Sequence, residues 1–176
     1  MLLENPRIKQ ITLSPELTFE QIREIRWHQP DIGLECLVQG PLELMVSEYC
    51  PMDSLSTDKD QCRKVCRQNE YFLRDRLQLD FPIYTDQYCR LHLLNAKDLC
   101  LYEDLRRLAE IPAVVLRLEL KTYPTERLGR FVKEYSKALK YIGNGKELPD
   151  GESVIRDFKS TTGRGITKGH YFRGVE

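Results

Sequence analysis

ECLVQGPLELMVSEYC, residues 35–50, leads through a polar loop to CRKVC at 62–66 and to DQYC at 86–89. Its first half alternates. Leu34, Cys36 and Val38 fall on one side of an extended chain, and Glu35, Leu37 and Gln39 on the other. That is a strand over 32–38, turned by Gly40-Pro41. In a barrel strand one set faces the inside and the other faces helices. Glu35 and Gln39 are therefore expected to share a face. Cys36, in phase with Leu34 and Val38, reads as core.

Beyond the turn, residues 42–46 are apolar and are expected to be buried. Cys50, Cys62, Cys66 and Cys89 then bracket a segment with little hydrophobic periodicity. Such a segment gains from a bound metal, and four thiolates complete a shell around zinc or an iron–sulfur cluster. One C-x-x-x-C couple with two distant single cysteines suits a cluster held by separate loops better than a zinc ribbon. The same residues also read as ordinary buried thiols. Arg63, Lys64 and Arg67 beside the couple favour thiolates. Arg90 and His92 follow Cys89 directly. Arg90 suits an anionic substrate and His92 suits proton transfer, against a surface ion pair and a satisfied imidazole. Ser47 reads as a hydrogen-bonding serine, because no G-x-S-x-G elbow surrounds it.

Outward from this stretch the chain reads as strand–helix units. Residues 8–13 form a short strand, and Thr18 with Gln21 makes a capping box for a helix carrying Phe19, Ile22 and Ile25. A hairpin is expected around Leu77-Gln78, and a helix over 99–108 with Leu101, Leu105 and Leu108 on one side. Cys100 beside that stripe reads as a packing thiol. Residues 113–120 form a strand covered on both faces, with Arg117 and Glu119 sharing a side. Leu128, Phe131, Val132, Tyr135 and Leu139 mark the clearest helix.

From Gly143 the composition changes, and seven of the ten glycines fall there. Residues 143–154 read as a linker. Arg164, Lys168, His170 and Arg173, with Tyr171 and Phe172 between, make a basic–aromatic patch suited to single-stranded RNA.

Three further stretches join E-x-x-V-x-G-x-L-x-x-x-V-S-E-Y-C-P at 35–51 in carrying a family likeness. They are YFLRDRLQLDFPIYTDQYCRLHLLNAKDL at 71–99, VVLRLELKTYP at 114–124 and GHYFRGVE at 169–176. With ITLSPELTFEQI at 11–22 they run collinear over nearly the whole chain. Together they resemble the collagenase-like peptidase family U32, in the C-terminal part of its catalytic region. The resemblance implies a TIM-barrel-like domain. It also implies, in several members, a [4Fe–4S] cluster used in hydroxylation of RNA bases or of a quinone precursor; other members are described as collagen-degrading proteases. The pattern departs at Gln39, where a histidine is usual, at Glu43, where a further cysteine is usual, and at Glu48, where a glycine is usual. The ligand set that carries over is Cys50, Cys62, Cys66 and Cys89, with zinc as the alternative metal.

The expected fold is α/β: partial TIM-barrel-like strand–helix repeats with a cysteine-rich β insertion. Residues 1–142 form half a barrel with the insertion at about 50–89, and 143–176 form a glycine-rich basic tail. The chain has 176 residues and its acids and bases cancel, so no global basic field draws nucleic acid. No secretory leader or membrane span is read, which implies a cytoplasmic setting. A complete barrel needs roughly 200 residues or more. A separate N-terminal barrel half, or a second copy of the chain, is the expected partner, with RNA as the substrate. The expected function is hydroxylation of an RNA base by an iron–sulfur protein. Peptidase activity and a non-catalytic, metal-stabilised fragment are the alternatives. Glu35, His92 and His170 are the proton-transfer candidates, and Arg90, Arg164 and Arg173 the substrate-binding ones.

Overall fold

The computed structural model describes residues 7–50, 64–148 and 150–174. It is a mixed α/β protein whose chain divides into two compact units. One runs up to Gly40 and resumes at Asp98; the other spans Pro41–Lys97.

In the first unit, β1 (Gln10–Thr12) lies parallel to β2 (Gly33–Gly40), and β2 lies parallel to β8 (Val114–Leu118). The last residues of β2 also pair antiparallel with β7 (Lys97–Cys100), and β9 (Gly165–Thr167) completes the five strands. Between β1 and β2 runs α1 (Phe19–His28). The expected capping box opens it: Gln21 N donates to Thr18 Oγ1 at 3.2 Å and Thr18 N donates to Gln21 Oε1 at 2.9 Å. Phe19 and Ile22 turn into the core. Arg26, in the last turn, is buried too. Its guanidinium donates to the carbonyls of Gln29, Pro30, Ile32 and, at 3.4 Å, Ala113, so a cation sits at the electronegative end of the helix.

The region expected as one helix over 99–108 divides. Leu99 and Cys100 end β7, a short 3-10 turn follows at Tyr102–Asp104, and α2 is only Leu105–Ala109. Strand pairing with β2 claims the start of the apolar run. All three leucines are still buried, because strand, turn and helix all face the same core. The long helix α3 (Thr125–Gly143) buries Phe131, Tyr135 and Ala138 but leaves Val132 and Leu139 exposed. The stretch read as a linker enters α4 (Gly151–Thr162), capped by Asp150, whose side chain accepts from Ser153 N at 3.1 Å. Phe158 of α4 stacks on Phe131 at 4.3 Å between ring centres, and Tyr102 meets both Tyr135 and Phe158 edge-on. Each such aromatic side chain contributes about 1.5–3 kcal/mol by burial.

One strand expectation fails. β8 is not covered on both faces: its exposure alternates, and Val115 is 40% exposed. One face of β1–β2–β8 carries Glu35, Arg117 and Glu119, where a fully buried parallel sheet would be apolar.

In the second unit, β3 (Glu43–Ser47), β4 (Tyr71–Arg74), β5 (Asp80–Thr85) and β6 (Leu91–Leu94) form an antiparallel sheet in the order β3-β6-β5-β4. The β4–β5 hairpin falls where expected. Asp75 Oδ1 accepts from Leu77 N and Leu79 N, and Gln78 takes the left-handed conformation. Leu91 and Leu94 are buried. The apolar run over 42–46 is not: Leu42 is buried, but Leu44, Met45 and Val46 are about half exposed.

Candidate functional site

Polar chemistry collects in the first unit where β2 ends. A bulge between Leu37 and Gln39 shifts the register against β8, so Gln39 does not share a face with Glu35 but turns into the core, fully buried. A hydrogen-bonded chain starts there. Tyr135 donates to Gln39 Oε1 at 3.0 Å, Gln39 Nε2 donates to Tyr123 Oη at 2.9 Å, and Tyr123 donates to Asp98 Oδ2 at 3.0 Å. Asp98 is fully buried and ion-pairs with Arg164 at 3.1 Å. Arg164 also reaches Asp98 Oδ2 at 3.2 Å and Thr122 at 3.5 Å. Burial pushes the Asp98 carboxyl above the ordinary range, although Arg164 and Tyr123 pull the other way. Burial, seconded by the neighbouring Asp98 charge, likewise raises Tyr123. Arg164 thus has a buried carboxylate as its anion.

Glu35 faces the opposite side of β2. Its carboxylate accepts from Gln10 at 2.9 Å and Thr12 at 3.0 Å, with Arg117 at 3.8 Å. Arg117 in turn bonds Glu119 at 2.6 Å, the pair expected from their shared face. Cys36 and Cys100 are core thiols as read; burial pushes Cys36 up to about 11 and raises Cys100.

The C-terminal patch is docked. Tyr171 is buried and donates to Leu37 O at 2.6 Å, and His170 Nδ1 meets Gly174 O at 2.7 Å. Phe172 packs edge-on against Phe19 at 5.2 Å, flanked by Arg107 and Lys168, while Arg173 is exposed.

In the second unit the cysteine-flanked turn between β5 and β6 is organised by Asp86. Its Oδ1 accepts from Tyr88 N and Arg90 N, and its Oδ2 pairs with the Arg90 guanidinium at 2.6 Å. Burial works against the ionised form, but those hydrogen bonds outweigh it and hold the Asp86 carboxyl well below the usual carboxylate range. Cys89, within this turn, is exposed and left-handed at φ 63°. His92, on β6, is nearly buried. Its Nδ1 lies 2.6 Å from Glu43 Oε2, and Tyr84 stacks on the imidazole at 4.5 Å. The buried Nε2 faces Asp86 Oδ2 at 3.4 Å, so the imidazole sits between two carboxylates. Of the proposed ligands, Cys50, Cys66 and Cys89 are free thiols, and Cys62 lies outside the described residues. The donor chemistry suits a thiolate-bound centre. Among the described residues, however, no three His, Cys, Asp or Glu side chains gather closely enough to hold a metal ion.

Sequence reading missed Asp98, Tyr123 and Tyr135, and missed Glu43 as the partner of His92. Asp98 leaves a faint signal as the one acid in LLNAKDLCL, residues 93–101. Glu43 leaves none, since its pairing depends on which strand lies beside β6.

A mixed α/β chain with a buried polar relay at a strand end and an antiparallel, cysteine-bearing unit is the class of protein defined so far. The family model for peptidase family U32 matches residues 1–176, and the chain belongs to that family. It is 26% identical to the uncharacterized protease MJ0090 of Methanocaldococcus jannaschii over 95% of this chain and 42% of that protein. It is 23% identical to the tRNA hydroxylation protein P of Escherichia coli and, separately, of Haemophilus influenzae, over 92% of this chain and 45% of each. The chain therefore spans less than half the length of the curated relatives it matches. No solved structure matches it. No helix among the described residues is long and apolar enough to cross a membrane.

Proposed function

We propose that this chain is the C-terminal part of the catalytic region of a cytoplasmic iron–sulfur protein that takes part in hydroxylation of an RNA base. The observation that carries the reading is the full-length family match together with relatives named for tRNA hydroxylation. Cys50, Cys62, Cys66 and Cys89 would hold a [4Fe–4S] cluster, which supplies electron transfer when bound. The free thiols of Cys50, Cys66 and Cys89 support this.

His92 suits proton transfer. Glu43 orients the ring at 2.6 Å from Nδ1, and the buried Nε2 faces Asp86 at 3.4 Å. Glu35 and His170 are the weaker candidates, since Gln10, Thr12 and Gly174 already engage them. Of the anion-contact candidates, Arg173 is exposed, while Arg90 and Arg164 are already engaged by Asp86 and Asp98. Three parallel strands with helices between them suit a barrel whose remaining strands come from another part of the protein or from a second copy.

Anaerobic purification tests the reading. A brown protein with about four irons per chain, lost in Cys62→Ser, supports it. Stoichiometric zinc in place of iron overturns the cluster. Gelatin cleavage that survives loss of the metal favours the peptidase reading suggested by the methanogen relative's name.

A further inference from the structure

β8 pairs with β2 along one edge, and no strand among the described residues lies along the other. Ala113 O accepts from Leu34 N and Glu119 N donates to Gln39 O, so the odd-numbered residues of this strand turn their main chain to β2. The N–H and C=O groups of Val114, Leu116 and Leu118 therefore point away from it, and no backbone group among the described residues takes them up. Beside that row lies a cavity of about 310 Å³ between β8, α2 and α3. Leu105, Leu108, Ile111, Val114, Leu116 and Leu139 line it, and its remaining lining residues are apolar too. On α3, Leu139 is 42% exposed, and Val132, two turns earlier on the same stripe, is 51% exposed.

Sheet and helix layers thus stop short at the same edge. The main-chain row selects an extended polypeptide, because a strand answers alternating N–H and C=O groups. The apolar bed beside it offers nothing to a phosphate or another charged ligand. Strand edges are ordinarily guarded by lysine, proline or a bulge. β8 reads VVLRL, and its one charge, Arg117, is held by Glu119 at 2.6 Å and Glu35 at 3.8 Å on the face away from the cavity. The row is also self-complementary. A two-fold axis through Leu116 sets it against itself as an antiparallel pair, with Val114 opposite Leu118. In that register Arg117 of one copy stands opposite Val115 of the other, so no like charges meet.

We infer that the free edge of β8 is a dimer interface, where a second copy of this chain adds its own β8 antiparallel and the two α3 helices meet over Val132 and Leu139. This takes one of the two partners left open above and names the surface it uses. It does not depend on the RNA reading, which stands or falls separately.

Sedimentation velocity of the full chain over a range of concentrations reads the association, and amide hydrogen exchange reads the edge. A species of twice the chain mass is expected, dissociating on dilution. The amides of Val114, Leu116 and Leu118 exchange roughly tenfold or more slowly in the dimer than after dilution. Leu116→Pro removes only an outward N–H, which an edge strand tolerates, and leaves a monomer with unchanged circular dichroism. Leu139→Lys, on the helix surface, weakens association by roughly tenfold or more without touching the strand; should Leu116→Pro lose its fold, this variant decides alone. A chain that stays monomeric at every concentration overturns the inference. A dimer that survives the variants, with the three amides exchanging freely, uses another surface and overturns it equally.

Discussion

Gly40 meets Glu119 backbone to backbone. A Cβ built on Gly40 would stand 2.1 Å from the Glu119 carbonyl oxygen, and Gly40 has φ 129°, a region that side chains rarely enter. Glu119 N donates to Gln39 O at 2.8 Å beside it, so this contact closes the ends of β2 and β8 together.

Gly40→Ala is therefore expected to cost about 3 kcal/mol or more, from strain and overpacking combined. Urea denaturation measures it. A loss below about 1 kcal/mol would mean that the two strand ends part easily.

Arg164→Met leaves the fully buried Asp98 carboxylate without its cation and is expected to cost about 3–5 kcal/mol at neutral pH. The sign with pH follows from Asp98. Its folded-state pKa is raised, so the folded protein takes up its proton more readily than the unfolded chain does. The deficit of the variant should shrink as pH falls and Asp98 is protonated. Unfolding midpoints of both proteins between about pH 7 and 4 check this, and a deficit that grows on acidification would contradict it.

Asp86 runs the other way. Its folded-state pKa is depressed, so its contribution is complete above the ordinary carboxylate pKa of about 3.9 and is lost as pH falls further. Asp86→Asn should flatten the acid limb of the stability curve below that pH. It should also free Cys89 from its left-handed turn, visible in the backbone coupling of its amide.

On the proposed function, His92→Gln reduces RNA hydroxylation by roughly 100-fold while iron content and circular dichroism stay unchanged. Glu43→Gln, which keeps the shape but loses the carboxylate 2.6 Å from Nδ1, should move the pH profile of turnover. Retained activity in both variants would remove His92 from the chemistry.

Tyr123→Phe deletes the hydroxyl that joins Gln39 to Asp98 and leaves two buried polar groups short of a partner. A loss of about 1–3 kcal/mol is expected, read by thermal unfolding.

Local patterns were legible wherever neighbouring residues decide the outcome. The Thr18–Gln21 capping box, the alternation in β2, the turn at Gln78 and the core thiols Cys36 and Cys100 all follow from spacing and residue type. The misreadings share one cause. Leu99 and Cys100 have helical company on one side, yet β2 offers them a strand edge. Gln39 belongs with Glu35 by alternation, yet one bulge carries it into the core.

The amino-acid sequence by itself determined the family, the mixed α/β character and the caps and turns, because these depend on contacts a few residues long. Only the tertiary structure decided that Asp98 meets Arg164 across 66 residues, that Glu43 meets His92 across 49, and that the C-terminal patch settles on α1. A lone buried charge costs several kcal/mol, so each of these residues is tolerable only where the folded chain delivers its partner, and sequence distance carries no trace of that delivery.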